Sequence, residues 1–110
     1  MKAGVLENPR AQEIIDTMVR RIVERFQPEK VILFGSYARG TAGPDSDVDL
    51  LVVMAVSGSK RDKVAEIYGS VSPIGLPKDI IVATPEEVEK YRGIPGTIIR
   101  PALLEGKVLY

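Results

Sequence analysis

The stretch that decides the fold is KVILFGSYARGTAGPDSDVDLLVVMAV, residues 30–56. It opens with a strand, Lys30 to Phe34, apolar after the lysine, and breaks at the turn-prone pair Gly35–Ser36. Residues Tyr37 to Asp45 include Gly40, Gly43 and Pro44, a composition expected of a short helix and a loop. A second strand is expected over Asp47 to Val56. After Asp49 its apolar residues fall on both parities, as in a central strand covered on both faces.

Upstream, Ile14, Ile15, Met18, Val19, Ile22, Val23 and Phe26 recur at the i, i+3, i+4 spacing of an amphipathic helix over Asn8 to Phe26. Asn8 is placed to cap it, Pro9 suits the first helical position, and Pro28 ends it. Downstream, Ser59 can cap a helix whose face carries Val64, Ile67, Tyr68 and Val71, with Gly69 weakening its C-terminal end. Pro73, Gly75 and Pro77 form a turn region before a third strand, Lys78 to Ala83. Thr84-Pro85-Glu86-Glu87 resembles a capping box and opens a helix to about Arg92. After a loop at 93–96, Thr97 to Glu105 is expected as helix if Pro101 falls in its first turn. Gly106 stops it, and Lys107 to Tyr110 can add an edge strand. The order αβαβαβα, with a possible last strand, implies an α/β or α+β fold with helices packed on a small mixed sheet.

The 110 residues suit one domain, 1–110, because two ordinary cores need roughly 200 residues. At 45% hydrophobic and 27% charged, the chain is neither a disordered tail nor a membrane protein. Its longest apolar run, Leu50 to Val56, falls far short of the roughly 18 residues of a membrane span. No stretch has the pattern of a targeting signal, so a cytoplasmic location is expected. There is neither Cys nor His, which removes disulfides, thiolate nucleophiles, zinc-finger sites, Ser-His-Asp triads and imidazole acid–base chemistry. Any metal must then be a hard cation held by oxygen. With 15 basic and 15 acidic residues the net charge is zero, which argues against tight, sequence-independent DNA binding.

Three features stand apart from the scaffold. Gly35–Ser36 ends the first strand, Asp47-Val48-Asp49 opens the second, and Asp79 opens the third. Acids are poor strand formers, yet these sit where apolar runs begin. In a strand Asp47 and Asp49 share a face, with Cα atoms roughly 6.6 Å apart. Two such carboxylates repel unless a cation lies between them, and with no His or Cys that cation should be Mg²⁺ or Mn²⁺. If the first two strands are antiparallel and the third is parallel to the second, all three features meet at one rim. Such a rim suits a nucleoside triphosphate with two metals. Gly35 allows close approach of backbone N–H groups to phosphate, and Ser36 adds a hydroxyl donor.

Gly35-Ser36, ten residues, then Asp47-Val48-Asp49 resembles the signature of the polymerase-β-type nucleotidyltransferases. The string GSYARGTAGPDSDVDLLV is similar to the minimal nucleotidyltransferases, among them the antitoxins paired with HEPN toxins. The similarity continues through Lys78-Asp79-Ile80-Ile81-Val82 to Glu105-Gly106-Lys107-Val108-Leu109-Tyr110. The resemblance implies the polymerase-β-type nucleotidyltransferase fold and two-metal nucleotidyl transfer, with Asp47 and Asp49 bridging the metals. Asp79 completes the site for the attacking hydroxyl as metal ligand or proton acceptor. On the same resemblance Gly35 and Ser36 would hold the β- and γ-phosphates, and Arg39 would either contact phosphate or pair with Asp45 or Asp47. For the antitoxins it implies transfer of AMP from ATP to a tyrosine of the HEPN-type toxin, which silences it.

Plainer roles stand beside these. Ser36 can simply cap a helix, Asp45 suits a turn, and Glu86-Glu87-Glu89 suits a helix N-terminal face. Lys60-Arg61-Lys63 is expected as a solvated face, with a docking surface as the alternative. Tyr68 is expected in the core. Tyr37 is a candidate to line the site, and Tyr91 and Tyr110 are candidate partner contacts or modified residues. Two rival functions remain at this level: an antitoxin acting by contact alone, and a nucleotidyltransferase for a small molecule or RNA. The latter would need a second subunit or an oligomer to form its acceptor pocket.

Overall fold

The computed structural model describes residues 9–110. Helix α1 (Pro9–Phe26) leads into strand β1 (Lys30–Phe34), helix α2 (Ser36–Arg39) and strand β2 (Val48–Val53). Helix α3 (Lys60–Val71), strand β3 (Lys78–Ala83), helices α4 (Pro85–Tyr91) and α5 (Ile99–Glu105), and strand β4 (Lys107–Val108) complete the order. Every expected element is present. The expected Asn8 cap lies outside the described residues.

Local chemistry sets most of the ends. Gln27 turns left-handed (φ 49°) with its amide bonded to the Val23 carbonyl, and Pro28 follows. That pair terminates α1. Ser59 caps α3 by accepting from the Asp62 amide at 3.2 Å, and the helix runs through Gly69 to Val71. Burial of Ile67 and Val71 outweighs the intrinsic cost of that glycine, about 1 kcal/mol. Pro101 is the third residue of α5, in the first turn where no helical donor is lost. Strand β2 is shorter than expected at both ends, and Asp47 lies just before it.

The sheet order is β3-β2-β1-β4. β1 and β2 are antiparallel with Phe34 opposite Asp49, and β2 and β3 are parallel with Asp49 opposite Asp79. β4 adds an antiparallel edge, Ile32 facing Val108 and Leu33 facing Lys107. Alternation along the strands splits the core in two. Val48, Leu50 and Val52 join Ile15, Met18, Ile22, Ile67 and Val71, so α1 and α3 cover one face. Leu51 and Val53 join Ile32, Phe34, Ile99 and Ala102, with Val88 and Tyr91 packed on them, so α4 and α5 cover the other. β2 is thus buried on both sides, as its doubly apolar pattern required. Among the described residues no helix is long and apolar enough to cross a membrane.

Two of the plainer readings are refined here. Lys60 does not merely face solvent: its ammonium donates to both Glu87 oxygens at 2.6 and 2.7 Å. Glu87 also closes the capping box, accepting from the Thr84 amide while its own amide donates to the Thr84 hydroxyl. The α3 and α4 N-termini are thereby tied together where β2 and β3 end. Lys63 pairs with Glu66 and lies over the Phe26 ring, 5.6 Å from its centroid. Asp45 does sit in a turn, closed by the Ser46 amide on the Gly43 carbonyl and by the Gly43 amide on the Ser46 hydroxyl.

The Lys60 hydrogen bonds, helped by the Thr84 amide, hold the Glu87 carboxyl below the usual glutamate range. Its contribution to stability is therefore complete above the ordinary glutamate pKa and fades as pH falls through the lowered value. We expect Thr84→Ala to cost about 1 kcal/mol in urea unfolding at neutral pH. Glu87→Gln should also destabilise at neutral pH, and its deficit should shrink in acid. An acid-independent deficit would contradict this account.

Candidate functional site

The rim at the C-terminal end of β1 and the N-terminal ends of β2 and β3 collects the acids. Because Phe34, Asp49 and Asp79 are register partners across three strands, their order on the rim follows from pairing alone. Asp49 and Asp79 each precede a residue of the α1–α3 core by one position, so both stand on the sheet face that α4 and α5 cover. Asp49 is half-buried, whereas Asp47 and Asp79 are exposed.

Gly35 sits against Asp49. Its backbone has φ 75° and ψ −155°, a region essentially confined to glycine, and a Cβ there would overlap Asp49 Oδ2. A side chain here would be strained by that φ, and its Cβ would have to push the Asp49 carboxylate aside. Beyond it, α2 begins with Gly35 in the N-cap position and no side-chain cap bond. The Ala38 and Arg39 amides donate to the Gly35 carbonyl, leaving the Ser36 and Tyr37 amides at the open start of the helix. Ser36 is a helical residue and not the cap. Its hydroxyl makes no hydrogen bond among the described residues, so it is free for a ligand. Gly40, left-handed at φ 77°, ends α2.

The electrostatics of the rim are those of crowded acids. Partial burial raises the Asp49 pKa, the neighbouring Asp79 and Asp47 carboxylates raise it further, and Arg39 partly opposes them. Arg39 is close enough to act on Asp49, yet its nearest ionic partner is neither Asp45 nor Asp47. Its Nη1 lies 3.5 Å from Glu105 Oε1 at the end of α5, and both side chains are half exposed. That pair is worth little in water, so Arg39 can leave it for a phosphate at small cost.

Tyr68 does more than its expected core role. It packs at the edge of the α1–α3 core, but its hydroxyl accepts from the Ile80 amide at 2.8 Å and lies 3.3 Å from Asp79 Oδ1, to which it donates. A tyrosine within an otherwise aliphatic face is the sequence signal, because a half-buried phenol needs a partner. Tyr37 is half-buried against the core beside the rim, Tyr91 packs on the second core, and Tyr110 is exposed.

Among the described residues no three acidic side chains stand close enough to form a ready-made cage for one ion. The donor chemistry nevertheless fits a hard cation. All candidate ligands are carboxylate oxygens, and Asp47 and Asp79 act on the half-buried Asp49 as like charges, a repulsion that a divalent cation would relieve.

The sheet is mixed and carries the Gly-Ser turn and the three aspartates at one rim. The chain belongs to the nucleotidyltransferase domain family, whose model matches residues 15–104 and so includes the whole rim. It is 37% identical over 73 residues to "Putative protein adenylyltransferase MJ0141" of Methanocaldococcus jannaschii, covering 57% of this chain and 74% of that one. It is also 37% identical over 83 residues to "Putative protein adenylyltransferase MJ0604" of the same organism, covering 74% and 78%. In fold it matches "a putative nucleotidyltransferase from Sulfolobus solfataricus" at TM-score 0.61 and 24% identity, over 100% of this chain and 88% of that one. A chain of a toxin–antitoxin structure with AMP-PNP matches at TM-score 0.61 and 18% identity, over 86% and 72%.

Two substitutions test this geometry. Gly35→Ala should cost roughly 1–3 kcal/mol in unfolding experiments, since it meets both the φ restriction and the Asp49 carboxylate. Asp49→Asn removes a half-buried charge from among like charges and should raise the melting temperature of metal-free protein at neutral pH. An unchanged or lower melting temperature would show that Asp49 is not under electrostatic strain.

Proposed function

We propose that this nucleotidyltransferase transfers AMP from ATP to a hydroxyl of a partner protein. The single observation that carries the reading is the register that aligns Gly35, Asp49 and Asp79 on one rim. The protein acceptor is supported by the two relatives above, each named "Putative protein adenylyltransferase". A HEPN-type toxin as that partner, with a tyrosine as acceptor and antitoxin action as the outcome, follows from the resemblance of the rim motif. Residues 1–110 act as one nucleotide-binding domain, and the acceptor half of the site comes from the partner.

In this reading Gly35 and the open amides of Ser36 and Tyr37 take the triphosphate oxygens, with the Ser36 hydroxyl as a further donor. Arg39 turns from Glu105 to the same phosphates. Asp47, Asp49 and Asp79 would hold two Mg²⁺ ions, with Mn²⁺ as a substitute. Such ions, when bound, stabilise negative charge on the α-phosphate and on departing pyrophosphate. Asp79, at the exposed end of the row, receives the acceptor hydroxyl and its proton. The acceptor oxygen forms a bond to the α-phosphorus as the bond to the β-phosphate oxygen breaks. AMP stays on the protein and pyrophosphate leaves.

The test is to co-express the chain with a candidate HEPN-type toxin and weigh that toxin with and without ATP and Mg²⁺. Mass increments of AMP are expected with wild type, and none with Asp47→Ala,Asp49→Ala. Neutralisation by the double variant without any modified partner would instead establish inhibition by contact alone.

A further inference from the structure

The phenol of Tyr68 is held in a definite direction. The Ile80 amide lies on the outer, free edge of β3 and donates to the Tyr68 oxygen at 2.8 Å. With that lone pair used, the only proton of the phenol is free for an acceptor, and Asp79 Oδ1 is 3.3 Å away. Asp79 Oδ2 has no partner among the described residues. Tyr68 comes from α3, on the opposite side of the sheet from α4 and α5, so it reaches Asp79 around the β3 edge. That route leaves the face shared with Asp49 clear.

We propose that Tyr68 is a positioning residue for Asp79, holding Oδ1 so that Oδ2 is the oxygen offered to a divalent cation on the rim. The inference rests on the reading of Asp79 as part of that rim. At 3.3 Å the bond is longer than the usual 2.5–3.0 Å O–H···O range, so the phenol orients the carboxylate without neutralising it.

The experiment is a Mn²⁺ titration in the presence of AMP-PNP, followed by electron paramagnetic resonance of free Mn²⁺. It compares wild type, Tyr68→Phe, Asp79→Asn and the double variant, with melting curves run in parallel. Tyr68→Phe should weaken Mn²⁺ binding roughly 10-fold, the low end for outer partners of metal ligands. AMP-PNP affinity at saturating Mn²⁺ should stay within about two-fold of wild type, because no phosphate contact is lost. Asp79→Asn should weaken Mn²⁺ at least as much, and adding Tyr68→Phe to it should have no further effect. Wild-type Mn²⁺ binding by Tyr68→Phe, beside a loss in Asp79→Asn, would overturn the inference while leaving the rim intact. Multiplying losses in the double variant would overturn it too, because the phenol would then act through stability alone. Wild-type Mn²⁺ binding by Asp79→Asn would instead remove the underlying role of Asp79. Asp79→Glu keeps the Tyr68–Ile80 bond and moves the carboxylate out of the phenol's hold. It should lose Mn²⁺ affinity as Tyr68→Phe does, which keeps the test decisive if the phenylalanine variant fails to fold; wild-type affinity in Asp79→Glu would overturn the inference.

Discussion

The close approach of Asp49 to the backbone at Gly35 is the constraint on which the rest of this structure depends. A carboxylate on the central strand lies where a Cβ of the neighbouring strand's terminus would be. Glycine stands there without strain, and with a positive φ it turns the chain out of β1 and straight into α2. The same turn opens the first amides of α2 beside the acid. A negative group and a set of anion-seeking donors are thus brought together by one residue that has no side chain.

That pairing is stabilised from elsewhere. Asp49 is held between strands whose other positions are deeply buried, with Leu50, Leu51 and Val52 fully enclosed by helices on both faces. The apolar layers offset the cost of half-burying Asp49 beside two further carboxylates; burial raises its pKa most, and the neighbouring acids raise it further. At the opposite end of the sheet, where β2 and β3 finish, the Thr84–Glu87 capping box and Lys60 tie α3 to α4. Strain is concentrated at the rim and satisfied contacts at the far end, the division expected when a functional site is built on a stable scaffold.

Much of this was legible in the sequence because its causes are local. Helical periodicity in α1, the double apolar parity of β2, the Thr84 capping box and the Pro44–Asp45 turn depend on neighbours in the chain. The absence of His and Cys narrowed the site to oxygen chemistry before any geometry was known. What escaped were contacts between elements. Arg39 pairs with Glu105, a residue 66 positions later by number, because α5 ends beside α2. Tyr68 looked like core because its neighbours Ile67 and Val71 are core, and the ring does pack there. Its hydroxyl could be assigned only once α3 was seen against the β3 edge.

By itself the sequence determined which groups are available and in what order: a glycine and a serine after one apolar run, two acids before the next, a third before the last. Spacing set Asp47 and Asp49 together where the second apolar run begins, although only Asp49 belongs to β2 and Asp47 lies just before it. Tertiary structure alone decided how close those groups come. The overlap that reserves position 35 for glycine, the alignment of Asp49 with Asp79 and the phenol at Asp79 depend on strand register and helix placement. Those are set by packing of the whole core, a property that no short stretch of sequence contains.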